Sequence, residues 1–226
     1  MIKCLIFDCG NVLVSFNRMI ACRQLAEFCP LSAEEIFQMS FEGDLLKRYE
    51  KNEVSSEQFF NLARHALGAK PELTFTKFKQ IWNSIFSENK LIGNLIADKL
   101  PIKLADKIAD LPINPHAYLG VGVKFLILSN TNEMHWEYMF QLPIIADNFA
   151  DKNCVLSFRV GARKPEEKIY REALARSDCQ PNEIIYIDDM SENIEGFTKF
   201  GINTINYNCQ TDSIEKLEKE IKKFIF

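Results

Sequence analysis

Five short strand-like runs, separated by stretches with helical spacing, leave this chain few ways to fold. They are Lys3–Phe7, Val123–Leu128, Cys154–Ser157, Ile184–Ile187 and Asn203–Asn206. Short runs of this kind, joined by helical crossovers, read as strands of a parallel sheet covered on both faces. The expected class is α/β.

The first two runs lie far apart. Between them, "MIACRQLAEFC", "AEEIFQMS", "SEQFFNLARHALG" and "FKQIWNSIF" place apolar residues at helical intervals, and no strand-like alternation stands out. Ser32 with Glu35, and Ser55 with Gln58, have the spacing of capping boxes. The expected organisation is a core from residues 1–14 and 117–226, a helical insert over 15–92, and a connector over 93–116. Pro101, Pro112 and Pro115 punctuate that connector, which predicts broken helices. Pro165 is expected to open the helix "EEKIYREALARS", and Gly201 to close the helix before the last strand.

The net charge of -4 argues against a general grip on nucleic acid or an anionic membrane. No uninterrupted apolar stretch is long enough for a membrane helix. "MIKCLIFDCG" has too short an apolar run for a secretory signal. The seven cysteines are odd in number and show no C-x-x-C spacing. They predict free thiols in a reducing, cytoplasmic setting rather than a zinc site. Cys9, beside Asp8, is expected to be a small packed residue.

In open parallel sheets, ligands bind beyond the carboxyl ends of the strands. The first run here ends in Asp8 and turns at Gly10 and Asn11; the second ends in Ser129 and Asn130. Lys164 follows the third, and Asp188, Asp189 and Asn193 follow the fourth. Each alone is an ordinary turn or helix-cap residue. Together they set three carboxylates, a hydroxyl, an amide and one lysine on one rim. Clustered carboxylates repel one another. The single lysine leaves them short of positive charge, and oxygen ligands favour Mg²⁺. A carboxylate beside Mg²⁺ and a lysine suits attack on a phosphoryl group.

The segments "IFDCGNVLV", "LILSNTN", "GARKPEEKIY" and "IYIDDMSENIEGF" resemble the motifs of the haloacid dehalogenase superfamily, and most closely its bacterial sugar-phosphatase branch, similar to glucose-1-phosphatase. The resemblance implies a Rossmann-like parallel core with an inserted helical cap. It also implies a Mg²⁺-dependent phosphatase acting on a small phosphorylated metabolite. It implies Asp8 as the nucleophile that forms an aspartyl-phosphate, and Ser129 and Lys164 as phosphoryl ligands. Asn130, Gly10 and Asn11 become expected substrate contacts. Asp189, Asp8, the Gly10 carbonyl and Asp188, directly or through water, become expected Mg²⁺ ligands.

One position departs from many phosphatases of the superfamily. They carry a second aspartate two residues after the nucleophile, where this chain has Gly10. That aspartate protonates the leaving oxygen. The departure leaves three readings: a phosphatase for an easily departing group such as an anomeric phosphate, a metal-free dehalogenase-like hydrolase, or a weakly active binding relative. The paired Asp188 and Asp189 argue against the metal-free reading. His135, expected on a helix after Asn130, is a candidate replacement acid, although a packed or surface histidine is the simpler expectation. Arg48, Tyr49 and Glu50 in the insert are candidates for lying over the pocket.

Overall fold

The computed structural model describes residues 1–95 and 123–225. A five-stranded parallel sheet forms its centre, in the order β5-β4-β1-β6-β7. These strands are β1 (Cys4–Phe7), β4 (Lys124–Ser129), β5 (Cys154–Leu156), β6 (Ile184–Asp188) and β7 (Asn203–Asn206). All five strand-like runs are therefore strands of one sheet. β1 lies in the middle, Cys4 to Phe7 pairing with Lys124 to Ile127 on one side and with Ile184 to Ile187 on the other. Leu5 and Phe7 face one apolar layer, while Cys4 and Ile6 face the other. The central strand β1 is apolar throughout because both of its faces are covered, whereas the edge strand β7, Asn203-Thr-Ile-Asn206, is mostly polar.

The helices Arg18–Leu25, Ala33–Phe41, Asp44–Glu50, Ser56–Ala66 and Phe75–Asn83 follow β1. Both expected capping boxes are formed, with the Ser32 and Ser55 hydroxyls accepting from the backbone N–H of Glu35 and Gln58. This helical layer has its own core. Trp82 stacks on Phe41 with ring centres 4.5 Å apart, and Tyr49 stacks on Phe59 at the same spacing.

Two features differ from the sequence reading. The helical layer is entered and left through an antiparallel ribbon, β2 (Val14–Phe16) with β3 (Phe86–Glu88). Three residues per strand are too few for alternation to register, so "VSF" and "FSE" carry no pattern of their own. The helix after Lys164 begins at Glu167, two residues beyond Pro165. Gly201 does turn the chain before β7, at a φ of 78° that suits glycine. Beyond Leu95, the expected 93–116 connector and its broken helices, together with the start of the second core segment at 117–122, lie outside the described residues. Among the described residues, no helix is long and apolar enough to cross a membrane.

Candidate active site

The sheet delivers its polar residues to one end. The Asp8 N–H donates to the Ile187 carbonyl at 2.8 Å, continuing the β1–β6 ladder by one residue. Asp8 thus leaves the strand beside the end of β6, where Asp188 and Asp189 follow Ile187. Carboxylate oxygens of Asp8, Asp188 and Asp189 all lie within 4.8 Å of one another. Lys164 reaches in from the loop after β5. It is 3% exposed, and its ammonium lies 2.8 Å from Asp8 and 2.7 Å from Asp188. Its third partner is the Leu128 carbonyl at 3.0 Å, so all three N–H donors are used.

Electrostatics follow from this packing. Burial raises the pKa of the Asp8 carboxyl; Lys164 opposes the shift and the neighbouring aspartates add to it. Burial works against the Lys164 ammonium, but Asp188 and Asp8 more than offset it and hold the lysine charged. Burial likewise raises the Asp189 carboxyl, against a hydrogen bond from Asn11. With all three carboxylates ionised, one ammonium leaves two negative charges in a confined space. A divalent cation with oxygen ligands matches that deficit.

The three carboxylates are not equivalent. Asp188 is fully buried, and both of its oxygens are occupied. Oδ1 accepts from the Met190 N–H at 2.8 Å and from Asn193 at 3.0 Å. Oδ2 accepts from Lys164, from Asn193 and, in a short bond, from the Tyr186 hydroxyl. These bonds tie Asp188 to Lys164, Tyr186 and Asn193, while its carboxylate keeps its place in the cluster with Asp8 and Asp189. Asp8 Oδ1 accepts from Lys164 and from the Cys9 N–H, while Asp8 Oδ2 takes no hydrogen bond from the described residues. Asp189 Oδ2 accepts from Asn11 at 3.1 Å and from Asn208 at 3.4 Å, leaving Oδ1 similarly open. No described hydrogen bond ends on the Gly10 carbonyl, because the neighbouring Asn11 N–H and Cys9 carbonyl make the bridge to Val14.

Two expected substrate contacts also have other partners. The Asn130 amide donates to the Lys164 carbonyl at 3.0 Å and accepts from the Lys164 N–H at 2.7 Å. It fixes the backbone that presents the lysine. Asn11 donates to Asp189 and accepts from Gln210 at 2.7 Å. Asn11, rather than Gly10, adopts the left-handed conformation of this turn, at φ 54°. Ser129 is 3% exposed and makes no side-chain hydrogen bond to a described residue.

Between the sheet and the helical layer lies a pocket. Gly10, Ser129 and Asn130 form its floor, and Phe16, Arg18, Phe41 and Glu50 its far side. A side chain at Gly10 has no room, since a Cβ there would stand 2.8 Å from the Phe16 ring. The ring of β2 thus occupies the place beside Gly10. His135 also lines the pocket, but its ring is committed. It lies 3.1 Å from the Asn132 amide at Nδ1 and 3.2 Å from the Trp82 carbonyl at Nε2, stacked on Trp82. A carbonyl only accepts, which fixes the proton on Nε2. Burial pushes the pKa down to about 3, so His135 is neutral near pH 7 and is no general acid there. Cys9 is fully buried against Met139, with a thiol pKa pushed well up by burial, as expected of a packed residue.

The insert residues separate in the same way. Arg48 is exposed beside Glu53, and Tyr49 packs within the helical layer. Glu50 alone of the three lines the pocket, and it pairs with Arg163 at 2.5 Å. Arg18 was not singled out by the sequence, because an arginine opening a helix looks like a solvated residue.

A parallel α/β core with a carboxylate cluster at its strand ends, roofed by helices inserted after the first strand, defines a capped hydrolase class. Residues 122–207 match the family of haloacid dehalogenase-like hydrolases. The chain is 27% identical over 210 residues to the D-ribitol-5-phosphate phosphatase of Bacteroides thetaiotaomicron, covering 90% of this chain and 91% of that protein. It is 24% identical over 169 residues to the glyceraldehyde 3-phosphate phosphatase of Methanothermobacter thermautotrophicus, covering 72% and 74%. Its fold is similar to that of a Bacteroides thetaiotaomicron enzyme of the same family, solved with magnesium and inorganic phosphate. The TM-score is 0.71 at 22% identity, over 96% of this chain and 99% of that one. The matched segment holds β4 to β7 and carries Ser129, Lys164, Asp188 and Asp189.

Proposed function

We propose that the protein is a Mg²⁺-dependent phosphatase acting on a small phosphorylated metabolite of the sugar or polyol class. The observation that carries this reading is the convergence of Asp8, Asp188 and Asp189, whose excess negative charge Lys164 only partly balances. The phosphatase names of the two relatives point the same way. Asp8, Asp189 and the Gly10 carbonyl are the groups that would hold the ion. When bound, Mg²⁺ supplies charge neutralisation at a phosphoryl oxygen.

The chain's own groups supply the rest. Asp8 Oδ2 attacks phosphorus, and the bond to the leaving oxygen breaks with its electron pair on that oxygen. Water then attacks the aspartyl-phosphate, releasing inorganic phosphate and restoring the carboxylate. Lys164 steadies the phosphoryl charge and Ser129 offers a hydroxyl donor. Asn130 and Asp188 act one step back by fixing Lys164.

With Phe16 beside Gly10 and His135 neutral, no side chain next to the nucleophile hands a proton to the leaving oxygen. Among substrates bound equally well, turnover is therefore expected to rise as the leaving oxygen becomes less basic. Nothing in the site favours the metal-free dehalogenase reading, which leaves the acid cluster without a purpose. Phosphate release from a panel of sugar, polyol and aryl phosphates, with Mg²⁺ and with a chelator, tests the proposal. Mg²⁺-dependent release is expected. Equal release in the presence of chelator, or none from any substrate, refutes it.

A further inference from the structure

Arg18 is placed at some cost to the fold. It opens the helix Arg18–Leu25, where the helix dipole disfavours a cation. Burial pushes its pKa down. It makes no ion pair or hydrogen bond with a described residue. Its guanidinium lies instead over two rings, 5.0 Å from the Phe16 centre and 5.4 Å from that of Phe41. Phe41 is itself fixed by its stack on Trp82. A planar cation held between rings, with its N–H donors unspent, is pre-organised for a polar ligand.

Its surroundings narrow the ligand. Phe16 is also the ring that abuts Gly10, two residues from Asp8, so Arg18 lines the pocket beside the ring nearest the nucleophile's turn. Glu50 lines the pocket too, and its charge acts on Arg18. One Glu50 oxygen, Oε2, is taken by Arg163; Oε1 has no hydrogen bond from a described residue. The pocket thus offers donors from Arg18 and an acceptor from Glu50. A hydroxyl can satisfy both, since it accepts and donates. A second carboxylate or phosphate on the substrate would meet the Glu50 charge.

Building on the phosphatase reading, we infer that Arg18 and Glu50 select substrate by binding hydroxyl groups on the leaving portion of a sugar or polyol monophosphate, Arg18 donating and Glu50 accepting. The test compares the wild type with Arg18→Met and Arg18→Lys on an alditol phosphate, p-nitrophenyl phosphate and phosphoglycolate, with Mg²⁺ present. In Arg18→Met, kcat/KM for the alditol phosphate should fall about ten- to a hundredfold, mainly through KM, the worth of a charge-assisted hydrogen bond. The fall should exceed that on p-nitrophenyl phosphate, which has no aliphatic hydroxyl, by tenfold or more. Arg18→Lys should recover part of the loss, and it carries the comparison if the methionine variant does not fold. Equal falls on the two substrates overturn the inference. So does a wild type that prefers phosphoglycolate and loses most on it, which would assign Arg18 to a second anion. A wild type active on p-nitrophenyl phosphate but on no polyol phosphate overturns the inference and leaves the phosphatase reading standing. A wild type that hydrolyses none of the three overturns that reading, and this inference with it.

Discussion

His135→Gln isolates the buried histidine of the described residues; His65 is exposed. Burial lowers the His135 pKa from 6.5 to about 3. Because the folded value lies below the unfolded one, the unfolded chain binds the extra proton between those two pH values. The stability tied to this residue is complete above pH 6.5 and is lost as the pH falls. By pH 5 the loss is about 2 kcal/mol for a group with this shift. Asp8, shifted upward, changes stability in the opposite sense over part of the same range, so the two proteins must be compared at each pH. Urea unfolding at pH 7, 6 and 5 provides the measurement. Glutamine should be the less stable protein at pH 7, having lost the ring stacked on Trp82. The gap between the two should shrink by about 2 kcal/mol at pH 5. Parallel stability curves would refute the assignment of His135 as a neutral, buried ring.

Asp8→Asn should abolish phosphate release while the protein still unfolds cooperatively, since the amide keeps the volume and loses the nucleophile; retained turnover would remove the covalent step. Asp189→Asn should move the Mg²⁺ activation curve to higher concentration before it affects saturated turnover, because it replaces a charged ligand; an unmoved curve would exclude Asp189 as a ligand. Gly10→Asp alone should lower the melting temperature, because its Cβ would stand 2.8 Å from the Phe16 ring. Paired with Phe16→Leu, it should raise alkyl phosphate turnover relative to aryl phosphate, by up to about 10²–10⁴-fold where the new carboxyl reaches the leaving oxygen. An unchanged alkyl-to-aryl ratio in the double variant would show that proton supply does not limit the reaction.

Legibility from the sequence followed the range of the interactions. The sheet could be read because its central strands state their burial locally, Asp8, Ser129, Asp188 and Asp189 because each ends or follows a strand, and Lys164 because it precedes the helix after β5. What those residues bind was less legible. Asn11 and Asn130 look like ligands in the sequence, yet their amides are spent on Asp189 and on the Lys164 backbone. Asp188 looks equivalent to Asp189 until the Tyr186 and Asn193 donors are counted. Arg18 and Glu50 were hardest, because their settings come from elsewhere in the chain. Phe41 is the last residue of the next helix after that of Arg18, and the partner of Glu50 is 113 residues away.

That distant partner ties the two layers together. Arg163 immediately precedes Lys164, and Glu50 ends a helix of the roof, so this one contact joins the roof to the loop that carries the lysine. Any opening of the roof must part the two charges and return both to water. Salt screens exposed charges far more than buried ones. The Glu50 side chain is 8% exposed, so salt screens this contact little while it is made, and screens both charges fully once they are parted.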